Sequence, residues 1–348
     1  MICDHTSGYY GKYKLLPTLV QLQSDITSPF PPLDLMVHIG EISAASFNDT
    51  IPAKEVWRVS EDGELRDPFK KLTTVFKCPK KCFFLHYGKD GCNRHVLIDE
   101  CRELFGEIYE QIPELPFCNI WTAMQLSSRL PKGALFHMGV SNTRRCWNMF
   151  QLPESVESAC NVGCCGIDGC VSTLVGASLV NPDRLCYVVV GDLTFFYDLN
   201  SLGNHHIGTN LRVMLVNNGR GTEFRLGIHH CNVFGDDADK YMAAAGHFGN
   251  KSPLLVKHYA EDLGFHYLSA TTKEEFMTAL SNFTNPQLSD HSMILEVFTD
   301  SKDESEALYL MSHIQSDAKG MVRSKLKDAV RNVAGEKGIN AIKKILKK

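Results

Sequence analysis

Two short apolar runs end in the residues best suited to chemistry. Cys186–Gly191 (CYVVVG) leads directly into Asp192, and Leu211–Asn217 (LRVMLVN) into Asn218-Gly219-Arg220-Gly221. Apolar runs of this length, bounded by turn residues, predict buried strands of a parallel sheet, and ligands of such sheets gather beyond the carboxyl ends of the strands. Asp192 and Asn218, 26 positions apart, then stand side by side. A carboxylate, an amide oxygen and a carbonyl from the glycine-containing turn are hard donors of the kind Mg²⁺ or Ca²⁺ prefers, and they leave coordination positions open for phosphate oxygens. Either half alone is an ordinary strand end or turn. The strand–helix–strand unit joining them makes the pair specific.

The elements that must hold these residues follow from the rest of the pattern. Residues 1–110 alternate strand-like runs (35–39, 56–59, 82–87) with polar stretches, which predicts a small α/β domain. Residues 94–112 show helical periodicity, with Val96, Leu97, Cys101, Leu104, Phe105, Ile108 and Tyr109 on one stripe. A second α/β domain is expected over 111–315, with its first strand at 135–138, the polar turn Ser141-Asn142-Thr143 after it, and a small-residue stretch at 163–179 that opens a helix near Asp168. The fold class expected is therefore α/β, two Rossmann-like three-layer domains with mainly parallel sheets, followed by a basic helical tail at 316–348. That tail holds ten Lys or Arg against three Asp or Glu, and Met321, Val322, Leu326, Val330, Ile339, Ile342, Ile345 and Leu346 recur at helical spacing. Docking on the acidic remainder of the chain or on a partner subunit is the expected use. The tail has no aromatic residue to stack on bases, so no nucleic acid is expected.

Composition narrows the class further. With 348 residues, 44% hydrophobic and 22% charged, the chain can bury more than one core. No apolar run approaches the length of a membrane span and the first residues lack a signal-peptide core, so a cytoplasmic protein without a transmembrane segment is expected. The 13 Cys form no small-scaffold framework and read as free thiols. Cys78, Cys82 and Cys92 with His95 fit no common zinc-finger spacing. The pairs His205-His206 and His229-His230 read as structural or solvated, with the second pair the nearer to the cofactor loop.

Gly191-Asp192…Asn217-Asn218 resembles the metal signature of thiamine diphosphate (ThDP) enzymes. Cys165-Gly166-Ile167-Asp168-Gly169 with Ser172-Thr173, Gly191-Asp192-Leu193, Tyr197 to Leu202, the stretch Val56 to Gly63, residues 211–218 and residues 294–300 make the chain similar to the 2-succinyl-5-enolpyruvyl-6-hydroxy-3-cyclohexene-1-carboxylate synthase (MenD) family. The likeness covers about residues 1–312, in the order of that family's middle and C-terminal domains. It implies ThDP with Mg²⁺ (or Mn²⁺) as cofactors. The metal ligands implied are the Asp192 carboxylate, the Asn218 side-chain oxygen and the Arg220 carbonyl. Gly166, Ile167, Asp168, Gly191, Leu193, Gly221 and Phe224 would surround the cofactor, Ile167 as the apolar wedge that enforces its bent shape and Phe224 as a lining residue.

The same resemblance implies decarboxylation of a 2-oxo acid and addition of the resulting carbanion equivalent to an acceptor, the cofactor supplying that chemistry. The activating glutamate of the family lies on a pyrimidine-binding domain that no segment here matches, so no catalytic residue is assigned in this chain. A separate pyrimidine-binding chain in a homo- or hetero-oligomer is the expected partner. A fragment and a noncatalytic cofactor-binding protein are the alternatives. The family's substrate-binding basic residues fall at Val162, which cannot pair with a carboxylate, and at Arg144 or Arg145 depending on register, with Ser141 as a polar neighbour. The departure at Val162 raises a related carboligase or decarboxylase of surface-polysaccharide precursor synthesis as the rival activity.

Overall fold

A computed structural model of the chain describes residues 1–26, 30–40, 51–88, 96–163, 165–227, 229–237, 252–317 and 320–322. The chain divides into two compact units, one of Met1–Thr18 with Glu114–Tyr309 and one of Leu19–Pro113 with Leu310–Lys348.

The smaller unit is built on a three-stranded parallel sheet of β1 (Leu33–His38), β2 (Ala53–Ser60) and β3 (Leu72–Lys77), in that order. Central β2 buries Ala53, Val56 and Val59 as expected of a strand with a neighbour on each side. Residues 82–87, expected as a strand, are instead part of α1 (Lys80–Tyr87). Pro79 starts the helix at φ −57°, and helical spacing brings Phe83 and Tyr87 together with ring centroids 4.8 Å apart. Both rings also pack on Phe76, at 5.0 and 5.7 Å. Aromatic enrichment favours a strand, so tertiary packing overrode the local preference. The periodic segment at 94–112 forms α2 (Val96–Glu110), which buries Cys101, Phe105 and Ile108, whereas Val96 and Leu97 are exposed. Arg94, Cys92 and His95 lie outside the described residues.

The larger unit contains α3 (Asn119–Leu126), β4 (Leu135–Met138), α4 (Asn142–Trp147), β5 (Glu157–Cys160), α5 (Cys170–Val180), β6 (Cys186–Gly191), α6 (Asp192–Tyr197), β7 (Leu211–Asn217), α7 (Leu255–Asp262), β8 (His266–Ala270), α8 (Lys273–Phe283) and β9 (Met293–Phe298). Helix α9 (Ser301–Ser312) follows. The six strands form one wholly parallel sheet in the order β5-β4-β6-β7-β9-β8. Every residue of β7 is buried, as are the first five of β6. This is why the two runs read as mainly apolar stretches without alternation, with Arg212 the one charge within them. Val188, Val190, Val213 and Leu215 pack with Val171, Leu174, Val256 and Ile294 in one core, each buried side chain contributing about 1.5–3 kcal/mol.

Residues 1–18 join the larger unit, whereas the sequence pattern groups them with the smaller. The reason is local. His5 N–H donates to Asn148 Oδ1 (2.8 Å), Ser158 Oγ donates to the His5 carbonyl (2.6 Å), and Ser158 N–H donates to Tyr10 Oη (2.9 Å). Of the expected basic tail, residues 318–319 and 323–348 lie outside the described residues. Among the described residues no helix is long and apolar enough to cross a membrane.

Candidate functional site

The sheet order defines where a ligand can enter. From β4 the chain moves outward to β5, then returns to β6 on the other side of β4, so the strand order reverses between β4 and β6. The carboxyl ends at such a reversal open a crevice in doubly wound sheets. At this point Gly139 N–H donates to the Val189 carbonyl (2.7 Å), and a Cβ on Gly139 would stand 3.3 Å from that oxygen. Glycine is what lets the end of β4 approach β6 so closely.

Asp192 begins α6 directly after β6, and Asn218 follows β7, the next strand, with Gly191 in register with Val216. Asp192 is only 2% exposed and its Oδ1 accepts from Leu193 N–H (2.7 Å). Asn218 Oδ1 receives Arg220 N–H at a weak 3.4 Å. Gly219 turns the loop at φ +80°, a conformation that disfavours a side chain. Thr222 Oγ1 in the same loop is buried with no hydrogen-bond partner among the described residues. Among the described residues no three His, Cys, Asp or Glu side chains converge as a metal cluster. A cation held here would therefore draw on amide and carbonyl oxygens beside the single Asp192 carboxylate. That donor chemistry fits Mg²⁺, which retains positions for phosphate.

Three residues outside the expected ligand set brace this loop, of which sequence reasoning noted only Asn217, as part of the Asn217-Asn218 motif. Glu296 on β9 accepts from Asn217 Nδ2 and from Tyr267 Oη, each at 2.7 Å, and Asn217 Oδ1 in turn accepts Gly219 N–H (3.3 Å). Burial pushes the Glu296 carboxyl above its ordinary range; its hydrogen bonds oppose the shift and the nearby Asp192 charge reinforces it. A lone carboxylate inside the apolar run MILEVF was the available signal.

The other expected site residues share this edge of the sheet. Gly166, Ile167 and Asp168 lie on the connection from β5 to α5, the first two half-buried and Asp168 exposed. Asp198 Oδ2 accepts Ser172 N–H (2.6 Å), tying the first turn of α5 to the end of α6. Phe224 stacks edge-on against His229, centroids 5.1 Å apart, while His205 and His206 are exposed. Of the two candidate arginines, Arg144 faces Asp4 at 3.5 Å. Arg145 makes a two-point pair with Glu223, Nη2 to Oε1 2.6 Å and Nη1 to Oε2 3.0 Å. Burial works against the Arg145 charge, and the Glu223 hydrogen bonds and charge hold its pKa above the ordinary value.

Ser141 is exposed at the end of β4 with φ +60° and ψ −122°, a strained conformation for a residue bearing a Cβ. Its side chain makes no capping bond to α4. Ser141→Gly should thus raise stability by about 1 kcal/mol, because relief of strain outweighs the extra freedom of glycine in the unfolded chain. Equilibrium urea unfolding measures this, and a loss of stability would show that the backbone there is unstrained.

Behind α4 lies a buried acid, Glu304, whose Oε1 accepts Asn119 N–H (2.9 Å) and Thr299 Oγ1–H (3.0 Å). Burial raises its pKa from 4.5 to about 7. A carboxyl raised in the folded state costs nothing below pH 4.5, and its cost grows to about 3 kcal/mol as pH climbs past 7. His5 and His137, both lowered from 6.5 to about 4 mainly by burial, act oppositely and cost stability as pH falls from 6.5 toward 4. The advantage of Glu304→Gln over the parent should therefore widen by about 3 kcal/mol between pH 4.5 and 7.5. Denaturation series at those pH values test it, and a pH-independent difference would refute the ionisation cost.

Comparison with known proteins agrees with the resemblance. No family model matches the chain. It is 33% identical over 263 residues to the 2-succinyl-5-enolpyruvyl-6-hydroxy-3-cyclohexene-1-carboxylate synthase of Bacteroides fragilis, covering 74% of this chain and 45% of that protein. The synthase of Phocaeicola vulgatus is 32% identical over 265 residues (74% and 44%), and that of Christiangramia forsetii 33% over 199 residues (57% and 33%). The chain spans about half the length of the first two. Across 74% of its own residues, then, this is a MenD-like protein.

Proposed function

We propose that the larger unit binds the diphosphate of ThDP through a divalent cation and serves, with a separate pyrimidine-binding chain, as part of a 2-oxo-acid carboligase or decarboxylase. The observation that carries the reading is the parallel pairing of β6 with β7, the strands that Asp192 and Asn218 directly follow, beside the strand-order reversal. Asp192, Asn218 and the Arg220 carbonyl would hold Mg²⁺ or Mn²⁺. ThDP would supply the carbanion chemistry. Asp192 brings the one full negative charge among the ligands, and its burial keeps water from competing for the cation. The Glu296–Asn217–Gly219 chain fixes the approach of the Asn218 loop. Ile167 and Phe224 offer apolar surface to the cofactor rings, and Gly166, Asp168, Gly191, Leu193 and Gly221 shape the walls.

The relatives' activity supports a 2-oxo acid as the substrate class. Val162 and the occupied Arg145 favour an acceptor other than the menaquinone one, and surface-polysaccharide precursor synthesis fits such a change. Noncatalytic cofactor binding remains the competing reading. Isothermal titration of ThDP with Mg²⁺ into the purified chain tests the binding half. Addition of a pyrimidine-domain chain with assay of CO₂ release from 2-oxo acids tests the activity. Absence of Mg²⁺-dependent ThDP binding would sink the proposal, and binding without CO₂ release in the reconstituted pair would favour the noncatalytic reading.

A further inference from the structure

Arg145 and Glu223 lie 78 residues apart, the first on α4 beyond the end of β4 and the second in the loop beyond β7, and they meet in the fork-to-fork geometry by which a guanidinium binds any carboxylate. Neither is sealed away: their side chains are 22% and 19% exposed. Both segments lie at the carboxyl edge that carries Asp192 and Asn218. A partly exposed guanidinium at the strand-end edge is an anion receptor, and here two of its five N–H donors are already held by a carboxylate of the same chain, with Nη1 also reaching Asn142 Oδ1 (3.4 Å).

We propose that Glu223 is a built-in competitor for the carboxylate-binding face of Arg145, so that a carboxylate ligand enters only by displacing it. This deepens the proposed function and rests on it for the identity of the site, since it makes the 223 position a determinant of which 2-oxo acid or acceptor is accepted. Displacement by a single external carboxylate exchanges one ion pair for another and is nearly neutral, so the internal group, held by the fold, wins at ordinary ligand concentrations. A ligand without a carboxylate at this position meets no such barrier. The arrangement therefore discriminates against acidic ligands.

The competent fraction sets the measured affinity: with the pair open a tenth of the time or less, removing Glu223 tightens carboxylate binding about tenfold or more. The test is titration of 2-oxoglutarate into the full chain, the Glu223→Ala and Glu223→Gln variants, and Glu223→Ala combined with Arg145→Met, with acetone as an uncharged control. Expected is a gain of about tenfold or more for Glu223→Ala, a smaller gain for Glu223→Gln, none for acetone, and loss of the gain when Arg145 is replaced. Circular dichroism establishes which variants fold, and Glu223→Gln decides if the alanine variant does not. Dissociation constants within twofold of the parent in a folded variant would overturn the proposal, as would a gain that survives Arg145→Met. ThDP and Mg²⁺ titrated separately into the same proteins distinguish the two failures: a carboxylate gain without ThDP binding removes the cofactor reading and keeps Glu223 as a competitor, and the converse does the opposite.

Discussion

Asp192→Ala is expected to weaken Mg²⁺-dependent ThDP binding at least about 100-fold, since loss even of a residue that supports a metal ligand costs about 10–100-fold. The unliganded protein should meanwhile lose almost nothing. Asp192 is 2% exposed, and its charge helps raise the pKa of the buried Glu296. Removing one of two neighbouring carboxylates relieves repulsion and burial cost, which offsets the interactions lost, the bond to Leu193 N–H among them. The expected signature is therefore split. Melting temperatures of parent and variant agree closely without ligand, and only the parent gains about 3 kcal/mol when ThDP and Mg²⁺ stand at 100 times its dissociation constant. Asp192→Asn should behave likewise, because an amide keeps the shape but not the charge. Thermal shift with and without Mg²⁺ reads all of this. Undiminished Mg²⁺-dependent stabilisation of the alanine variant would remove Asp192 from the metal site. A large loss of unliganded stability would instead mark it as a structural acid.

How much of this was legible from the chain depends on the range of the interaction concerned. The strands carrying Asp192 and Asn218 were readable because burial on both faces leaves mainly apolar runs, broken in β7 only by Arg212 and the closing Asn217, and the adjacency of β6 and β7 follows from a strand–helix–strand unit. The strand at 135–138 was readable for its bounding turns. Residues 82–87 were misread because CFFLHY satisfies both periodicities; only contact with Phe76 and Trp57, on other strands, selects the helix. Glu296 was missed although it stands as a lone charge within MILEVF, and its partners Asn217 and Tyr267 sit 79 and 29 residues away. The Glu223 pairing was hidden for the same reason. Arg145 and Glu223 are each unremarkable in their own segments, and the pair exists only once two strand ends are brought to one edge. The allocation of residues 1–18 depends on His5 and Tyr10 meeting Ser158, about 150 residues later.

Trp147→Ala should produce the largest loss of stability, about 4 kcal/mol, because large aromatic truncations in a tightly packed core cost roughly 3–5 kcal/mol. Trp147 is fully buried with its ring 4.9 Å from Phe136 of β4, and its Nε1–H donates to Asn119 Oδ1 (3.2 Å). Asn119 in turn donates its backbone N–H to Glu304, so one indole ties α3, α4 and the buried acid together. Trp147→Phe keeps the aromatic contact with Phe136 but leaves the Asn119 carbonyl oxygen without its donor, and is expected to cost a smaller 1–2 kcal/mol, on the order of one unsatisfied buried group. Urea denaturation at pH 7 separates the two costs, and an alanine variant within about 1 kcal/mol of the parent would show that the site collapses around the missing ring. The functional consequence follows from position: Ser141 and Arg145 stand within the six residues preceding Trp147. An anchor lost there frees the end of β4 from its one geometry, and with it the arginine that Glu223 holds. In folded Trp147→Ala, 2-oxoglutarate affinity should therefore drift toward that of Glu223→Ala only if the pair depends on α4 being pinned, which makes the two substitutions a direct measure of how strongly the core sets the state of the site.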